Sequence, residues 1–218
     1  MLGANRPRFF LLPPYQILCV MANSVLDCDD LFDEFLNCNS NYLEESKLNT
    51  FFKSSNKFAI NLIHINSRSL SKNFKQIISL ISRIPVPLTA IGVTETWLTN
   101  ISDTSFQIDG YTFVSKSRDI KIGGGVGLYI NNDYDFKLCP DLSFVKEYIE
   151  CVFVEVKQVN MRNVFIGCVY RPPNTNVALF NTELSAILDI LNRKSKSLSF
   201  IMGDYNLTMM RLPCSVFS

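Results

Sequence analysis

The alternation of hydrophobic and polar residues is clearest in segment 58–66, FAINLIHIN, where β-branched residues dominate. This pattern predicts a buried strand. The following segment changes to a helical period, with one apolar stripe made of Leu70, Phe74, Ile77, Ile78, Ile81 and Ile84. That stripe predicts an amphipathic helix, which Pro85 and Pro87 end. A second strand follows over 88–95, LTAIGVTE, so the region opens with a strand–helix–strand unit.

The downstream half predicts short strands and one more helix. Turn-bounded strand segments are YTFVSKS, VGLYIN, ECVFVEVK and VFIGCVYR. Segment 177–192 places Phe180, Leu184, Ile187, Leu188 and Leu191 on one helical face. A final buried strand is predicted in 197–206, SLSFIMGDYN. Many strands with a few interleaved helices indicate an α/β layered sandwich.

The first 56 residues differ in character from the rest. They combine an apolar start, an acidic run and an Asn/Ser-rich stretch, with 4 Lys and Arg against 7 Asp and Glu. Residues 57–218 have 17 against 13, a mild positive excess that permits a phosphate-binding face. We expect a flexible leader over 1–56 with a short helix near 31–36, a domain over 57–207 and an unrelated tail over 208–218.

Composition and cysteine usage indicate a reduced intracellular compartment. The seven cysteines form no CxxC pair, so we interpret them as reduced core thiols in a nuclear or cytoplasmic protein. The apolar N-terminal run is interrupted by Pro13, Pro14 and Gln16, and we do not expect it to direct secretion. No stretch approaches the roughly 20 apolar residues that span a bilayer, so no membrane partner is expected.

Polar residues end four of the predicted strands: Asn66, Glu95, Tyr170 with Arg171, and Asp204 with Asn206. Residues two apart on a strand face the same way, so Asp204 and Asn206 project together. If the strands are neighbours, these side chains converge at one sheet edge. Mg²⁺ prefers such oxygen ligands, and it polarises a phosphoryl oxygen while a carboxylate orients or deprotonates water. Taken singly, each of these residues is better explained as a polar cap where a strand meets a loop.

Five motifs occur in a fixed order: LIHINSRSL (62–70), TETWL (94–98), GGGVGLY (123–129), YRPP (170–173) and GDYN (203–206). Together they closely resemble the endonuclease domain of LINE-type, non-LTR retrotransposons of the jockey-like branch. That domain belongs to the endonuclease/exonuclease/phosphatase superfamily with deoxyribonuclease I. The resemblance covers residue 58 to about 207. It implies a four-layer αββα sandwich of the deoxyribonuclease I-like type, here incomplete.

The resemblance also implies roles for individual residues. Glu95 matches the metal-ligand glutamate, and Asn66 matches the asparagine that helps to hold metal or phosphate. Tyr170 matches the tyrosine at the scissile phosphate, and Arg171 beside it is a further candidate for phosphate. Asp204 matches the aspartate that orients the nucleophilic water, and Asn206 matches a phosphate-binding asparagine. The implied cofactor is Mg²⁺, with Mn²⁺ as an alternative. The implied partners are DNA, which is nicked to prime reverse transcription, and a reverse transcriptase domain that this sequence does not encode.

Two other features carry less weight. His64 is the only histidine, and its position does not match the catalytic histidine of the resembled domain, so we interpret it as structural. The glycine-rich segment 123–127 is not followed by the Lys-Ser/Thr of a P-loop. It favours a hairpin whose glycines allow another backbone segment to approach closely.

The sequence after Leu207 resembles nothing in that superfamily, whose members continue to a serine-aspartate-histidine stretch. We therefore expect an impaired, C-terminally truncated domain with exposed sheet edges. Three functions stay open: a Mg²⁺-dependent DNA-nicking endonuclease, a hydrolase of phosphoinositides or other small phosphoesters, and an inactive remnant that binds nucleic acid weakly.

Overall fold

The computed structural model of the chain describes residues 17–22, 38–43, 60–99, 103–118, 123–157, 163–194 and 198–206. These residues form two β-sheets and two α-helices.

The first sheet contains six strands. In chain order they are β1 (Ile17–Ala22), β2 (Cys38–Leu43), β3 (Ile60–Asn66), β4 (Ala90–Thr94), β5 (Tyr111–Lys116) and β6 (Val126–Asn131). Their order across the sheet is β2-β1-β3-β4-β6-β5. Strands β3 and β4 are parallel, and the helix α1 (Leu70–Ile81) connects them. This is the predicted strand–helix–strand unit.

The second sheet has the order β11-β10-β9-β7, with β8 paired to β9. Its strands are β7 (Phe136–Leu138), β8 (Phe144–Lys146), β9 (Ile149–Val156), β10 (Val164–Tyr170) and β11 (Leu198–Asp204). Strands β10 and β11 are parallel and are connected by the helix α2 (Val177–Arg193). Helix α2 begins where the Asn176 side chain accepts hydrogen bonds from the N–H groups of Ala178 and Leu179.

Each sheet packs one face on the other sheet and one face on a helix. The inner layer joins residues such as Leu62 and Leu128 of the first sheet to Val154 and Ile166 of the second. Helix α1 contributes Leu80 to an outer core on the first sheet, and α2 contributes a second outer core against β9 and β10. The layers are thus helix, sheet, sheet and helix, and the predicted αββα sandwich is confirmed.

The range predicted as a flexible leader contributes two strands to this sandwich. Strands β1 and β2 pair with each other, and β1 pairs antiparallel with β3. Strand β1 therefore covers one edge of β3. The run ILCVMA at 17–22 is apolar enough to form a strand. It was not predicted as one because the sequence around it has a mixed composition with no clear periodicity. The expected helix at 31–36 and the tail 208–218 lie outside the described residues.

Cys139, Cys151 and Cys168 form no disulfide. Burial raises the pKa of Cys151 to about 12, so this thiol stays protonated. Neither α1 nor α2 is long and apolar enough to cross a membrane.

Candidate active site

Two pairs of parallel strands end at the same edge of the sandwich. Asn66 ends β3 and Glu95 directly follows β4, whereas Tyr170 ends β10 and Asp204 ends β11. Tyr170 and Asp204 are direct neighbours in the parallel register. Because parallel strands carry their carboxyl ends to one edge, the sequence-predicted residues of both sheets approach each other there.

Asn66 connects the two sheets at this edge. Its Nδ2 donates a hydrogen bond of 2.9 Å to Glu95 Oε1 and another of 2.8 Å to Asp204 Oδ2. Its Oδ1 accepts from the backbone N–H of Arg68 at 3.2 Å. One amide therefore holds together the carboxylate that directly follows β4 and the carboxylate that ends β11.

The Glu95 loop is fixed by hydrogen bonds and by unusual backbone angles. Glu95 and Trp97 have φ of 52° and 55°, in the left-handed region that non-glycine residues rarely adopt. The Ser67 hydroxyl donates to the carbonyls of Thr94 and Glu95, both at 2.9 Å. A strained backbone persists only where surrounding contacts hold it, and such strain is concentrated at functional sites.

Asp204 is held by the segment that follows it. The backbone N–H of Asn206 donates to Asp204 Oδ1 at 3.1 Å, and Asn206 Nδ2 donates to the carbonyl of Arg171 at 2.8 Å. Asp204 is 4% exposed, so these contacts and the Asn66 amide replace most of its water. The Asn206 amide thus fastens the loop after β11 to the loop after β10.

The Arg171 side chain binds backbone carbonyls of neighbouring loop residues in this structure. Its guanidinium donates to the carbonyls of Tyr205 at 2.6 Å and Thr175 at 2.9 Å, and also to the carbonyl of Asn206. The residue is 5% exposed. A role of Arg171 in phosphate binding stays a prediction, and it would require these contacts to be exchanged for the ligand.

Tyr170 is buried, and its pKa is raised above the ordinary value. Burial is the main cause, and the carboxylates of Glu95, Glu150 and Asp204 add to it. The phenol therefore remains protonated at neutral pH and can donate a hydrogen bond, but it does not act as an anion.

A partly buried ion pair that the sequence analysis missed lies beside these residues. Glu150 is fully buried, accepts from the backbone N–H of Gly125 at 2.5 Å and forms an ion pair with Arg118. Burial raises the pKa of Glu150, opposed by the Gly125 hydrogen bond and by Arg118. Glu150 is opposite Tyr170 in the β9–β10 register. The only signal in the sequence was a glutamate within an apolar strand.

The glycine segment connects this ion pair to the Glu95 loop. A Cβ at Gly124, whose φ is 68°, would lie 2.5 Å from Glu150 Oε1, so a side chain is excluded. The Gly124 carbonyl accepts from the N–H of Trp97 at 2.9 Å. The glycines thus allow the backbone of segment 123–125 to lie close to the backbone of the Glu95 loop, a close approach of the kind that the sequence predicted.

His64 lies below this edge in the interior. It is fully buried, and its Nε2 is 3.1 Å from Thr94 Oγ1. Its Nδ1 has no hydrogen-bond partner within the described segments. Burial lowers its pKa to about 3, so the imidazole is neutral at physiological pH. A buried, neutral ring cannot reach a substrate phosphate.

The oxygen ligands at the edge fit a hard divalent cation. Within the ranges given above, no three or more His, Cys, Asp and Glu side chains group closely enough to hold a metal ion by themselves. Glu95 and Asp204 nevertheless present carboxylate oxygens on either side of Asn66. One or two carboxylates, completed by waters and substrate phosphate, are the usual protein ligands of Mg²⁺.

No protein-family model and no curated protein matches the sequence. Among solved structures, D. rerio TDP2 in complex with a single strand DNA product matches with a TM-score of 0.51 and 12% identity, over 69% of this chain and 62% of that one. ANGEL2, a 2′,3′-cyclic phosphatase, matches with a TM-score of 0.52 and 12% identity, over 68% of this chain and 53% of that one. The chain spans less than two thirds of either structure.

These similarities define the class of fold. The protein has the endonuclease/exonuclease/phosphatase fold, the deoxyribonuclease I-like αββα sandwich. A shared fold at this identity does not transfer a substrate, so the function rests on the residues at the sheet edge.

Proposed function

We propose that the protein is a divalent-metal-dependent phosphodiesterase of the endonuclease/exonuclease/phosphatase type that acts on a nucleic-acid strand. The observation that carries the proposal is the Asn66 amide that holds Glu95 and Asp204 together where the strands of both sheets end. Phosphoryl transfer requires little covalent chemistry from a protein, and depends on positioning and on stabilisation of developing charge.

The residues divide the chemistry between them. Glu95, joined by Asn66 once its Oδ1 releases the Arg68 N–H, would hold Mg²⁺ or Mn²⁺. The cation is a Lewis acid that would polarise the phosphoryl oxygen and stabilise the leaving alkoxide. Asp204, fixed by Asn66 and by the Asn206 N–H, would orient the attacking water and accept its proton. Tyr170, kept protonated, would donate a hydrogen bond to a phosphate oxygen. The Asn206 amide, which here donates to the Arg171 carbonyl, would bind phosphate after releasing that carbonyl.

The ordered motifs support a narrower form of the proposal. In that form the protein descends from the endonuclease of a non-LTR retrotransposon, nicks target DNA and leaves a 3′-hydroxyl that primes a reverse transcriptase domain. The support is the resemblance of five motifs, LIHINSRSL, TETWL, GGGVGLY, YRPP and GDYN. A nuclear or cytoplasmic location belongs to the same proposal.

The test is conversion of supercoiled plasmid to the nicked form. We expect nicking that requires Mg²⁺ and disappears in Glu95→Ala and in Asp204→Ala. Asp189→Ala, an exposed aspartate on α2, is the matched control and should nick normally. Activity that survives both site substitutions would show that the nicking comes from another protein. Hydrolysis of a soluble phosphoester without nicking would favour the small-phosphoester alternative instead.

A second candidate function is nucleic-acid binding without turnover. The observation that favours it is the state of His64, the only histidine, which is buried and neutral and therefore unable to shuttle a proton at the phosphate. This candidate predicts salt-sensitive DNA binding with no Mg²⁺-dependent nicking. Binding that is independent of salt would exclude it.

A further inference from the structure

The ion pair of Arg118 with Glu150 lies in line with the candidate active-site residues of the second sheet. In the β9–β10 register Glu150 is opposite Tyr170, and in the β10–β11 register Tyr170 is opposite Asp204. Residues that are directly opposite on neighbouring strands point to the same face of a sheet and are about 5 Å apart. Glu150, Tyr170 and Asp204 therefore form one row across the end of the sheet, with Tyr170 in the middle.

A residue from outside the second sheet binds each end of this row. At one end, the Asn66 amide donates to Asp204 Oδ2 at 2.8 Å. At the other end, Arg118 Nε donates to Glu150 Oε1 at 2.5 Å, and Arg118 Nη2 forms the ion pair with the same oxygen. The Arg118 guanidinium therefore lies at the Glu150 end of the row, one strand away from Tyr170.

The charges that act on Tyr170 agree with this arrangement. Burial is the largest cause of its raised pKa. Three carboxylates raise the pKa further, and the positive charge of Arg118 lowers it. The carboxylates are those of Glu95, Glu150 and Asp204. The Arg118 guanidinium is therefore close enough to the phenol to offset part of the negative charge around it.

The Arg118 guanidinium keeps a donor group for a ligand. Its contacts with Glu150 use Nε and Nη2, and among the residues that the structure describes Nη1 has no hydrogen-bond partner. The side chain is 19% exposed, so solvent reaches it. In Arg171, by contrast, all three guanidinium nitrogens donate to backbone carbonyls. Arg118 can therefore bind an anion without breaking a contact of the fold.

The glycine segment fixes the guanidinium relative to the Glu95 loop. A Cβ at Gly124 would lie 2.7 Å from both Cζ and Nη2 of Arg118, so only glycine leaves room for the side chain there. The Gly124 carbonyl accepts from the N–H of Trp97 at 2.9 Å. Trp97 is two residues after Glu95. One backbone segment thus contacts both the Arg118–Glu150 pair and the loop of the candidate metal ligand.

We propose that Arg118 binds a non-bridging oxygen of the phosphodiester that lies against Tyr170, and that Glu150 positions Arg118 for this contact. The inference rests on the proposed function and adds a substrate-binding residue to the same site. Glu95 and Asp204 repel an anionic substrate, and a guanidinium on the other side of Tyr170 offsets that repulsion. The planar guanidinium binds carboxylate with one edge and phosphate with another. Glu150 does not touch the substrate, and its carboxylate keeps the guanidinium in one orientation.

The test compares a charged and an uncharged ligand in the absence of metal. The probes are thymidylyl-thymidine, which contains a single phosphodiester, and its methylphosphonate, which has no charge at the same position. NMR titrations in EDTA give the two dissociation constants for each protein. The measured quantity is the ratio of the two affinities, because a change that only loosens the fold weakens both ligands alike.

The variants remove the cation without leaving a buried carboxylate unpaired. Glu150→Gln keeps an acceptor for the Gly125 N–H, and the double variant Glu150→Gln with Arg118→Met then also removes the guanidinium. Glu150→Gln with Arg118→Lys restores the charge but not the planar fork. The matched control is Arg193→Met, at an exposed position of α2.

We expect the double variant with Arg118→Met to lower the affinity ratio about tenfold, the size of one charge-assisted hydrogen bond. Glu150→Gln alone should lower the ratio by a smaller factor, because the guanidinium is present but no longer held. The variant with Arg118→Lys should recover part of the loss, and Arg193→Met should leave the ratio unchanged. The same ratio in the wild type and in the double variant would overturn the proposal.

A measurement on the wild-type protein gives an answer even if the double variant does not fold. The Arg118 Nε–H resonance, assigned by its absence in Arg118→Lys, should shift when thymidylyl-thymidine is added and should not shift with the methylphosphonate. A resonance that responds equally to both ligands, or to neither, would contradict the contact.

These experiments need no turnover, so they separate the two proposals. Charge-selective binding that depends on Arg118, in a protein that nicks nothing, would contradict the proposed function alone. Mg²⁺-dependent nicking that is lost in Glu95→Ala, together with an affinity ratio that does not depend on Arg118, would contradict this inference alone.

Discussion

At the scale of single residues, Asn66 keeps two carboxylates together that would otherwise repel one another. Glu95 and Asp204 each accept one hydrogen from the same amide. Asn66→Asp would replace this donor with a third negative charge. Three like charges this close repel one another and destabilise the folded state at neutral pH. A divalent cation that binds the cluster would offset the repulsion.

We therefore expect Asn66→Asp to melt at a lower temperature than the wild type in EDTA and to regain more of its Tm than the wild type when Mg²⁺ is added. Thermal unfolding at pH 7.5, with and without Mg²⁺, measures the difference. Asn181→Asp, at an exposed position of α2, is the control and should show no additional Mg²⁺ effect. A similar Tm gain in the two variants would argue against a cation site at the sheet edge.

The buried His64 leads to a second prediction at this scale, which concerns how the free energy of unfolding depends on pH. Its pKa is about 6.5 in the unfolded chain and about 3 when buried. Between these values the unfolded state binds the proton and the folded state does not, so stability is fully present above pH 6.5 and is lost as the pH falls. From pH 6.5 to 4.5, we expect a loss of about 2 kcal/mol from this group, because His64 in the unfolded chain is already half protonated at pH 6.5.

Urea unfolding at the two pH values measures this loss. His64→Gln keeps a polar group near Thr94 Oγ1 but cannot take up the proton, so its free energy of unfolding should depend less on pH by that amount. If His64→Gln and the wild type lose the same stability, the acid sensitivity comes from other groups.

At the scale of secondary-structure elements, the pairing of β10 with β11 places Asp204 beside Tyr170. Gly203 permits this pairing, since a Cβ there would lie 1.8 Å from the carbonyl oxygen of Val169. That neighbour is backbone and cannot move aside without separating the strands. We expect Gly203→Ala to lower the free energy of unfolding by about 3 kcal/mol.

Gly92→Ala is a suitable comparison, because its new Cβ would meet the flexible side chain of Met202, at 2.8 Å from the sulfur. We expect a smaller loss of about 1 kcal/mol there. Urea unfolding of the two variants gives both values. A loss for Gly203→Ala no greater than that for Gly92→Ala would mean that the two strands can move apart more easily than their register suggests.

Most of the elements were predictable because their apolar residues repeat with a clear period. The stripe of Phe180, Leu184, Ile187 and Leu191 predicted α2, and the structure buries these four residues. Strands of three residues were not predictable, and both β7 and β8 were missed. Such segments are too short to show an alternation, and their pairing with β9 defines them.

The candidate site was predictable only as far as strand ends could reveal it. Asn66, Glu95 and Asp204 end or follow strands, and the structure joins them by hydrogen bonds. The ion pair of Arg118 with Glu150 was not predictable, because residues 32 apart meet there through the packing of the two sheets. A sequence also does not show which hydrogen-bond donors are already engaged within the fold. The donors of Arg171 are an example, since backbone carbonyls accept from them.

At the scale of the whole molecule, the site depends on the packing of two sheets. Asn66 and Glu95 come from the first sheet and Asp204 from the second, and the inner core lies between them. Met202, two residues before Asp204, packs against Gly92 of β4. A change that separates the sheets would therefore disperse the carboxylates before it unfolded either sheet.

The first sheet also depends on strands β1 and β2, which gives a test of the predicted domain boundary at residue 57. Strand β1 covers the edge of β3 along a register that runs from Leu18 opposite His64 to Ala22 opposite Ile60. Removal of residues 1–56 would expose the N–H and C=O groups of β3, the strand that carries Asn66. An exposed strand edge of this kind promotes pairing between molecules.

We therefore expect the fragment 57–218 to unfold at lower urea concentration than the full chain and to form oligomers as its concentration rises. The fragment 17–218 retains β1 and β2 and is the control that should behave like the full chain. Light scattering coupled to size-exclusion chromatography, together with urea unfolding, distinguishes the three proteins. If 57–218 is monomeric and as stable as the full chain, the boundary predicted from the sequence is the correct one and β1 adds nothing to the sandwich. If it associates and loses plasmid nicking together with stability, the first 56 residues are part of the structure that holds Asn66 in place.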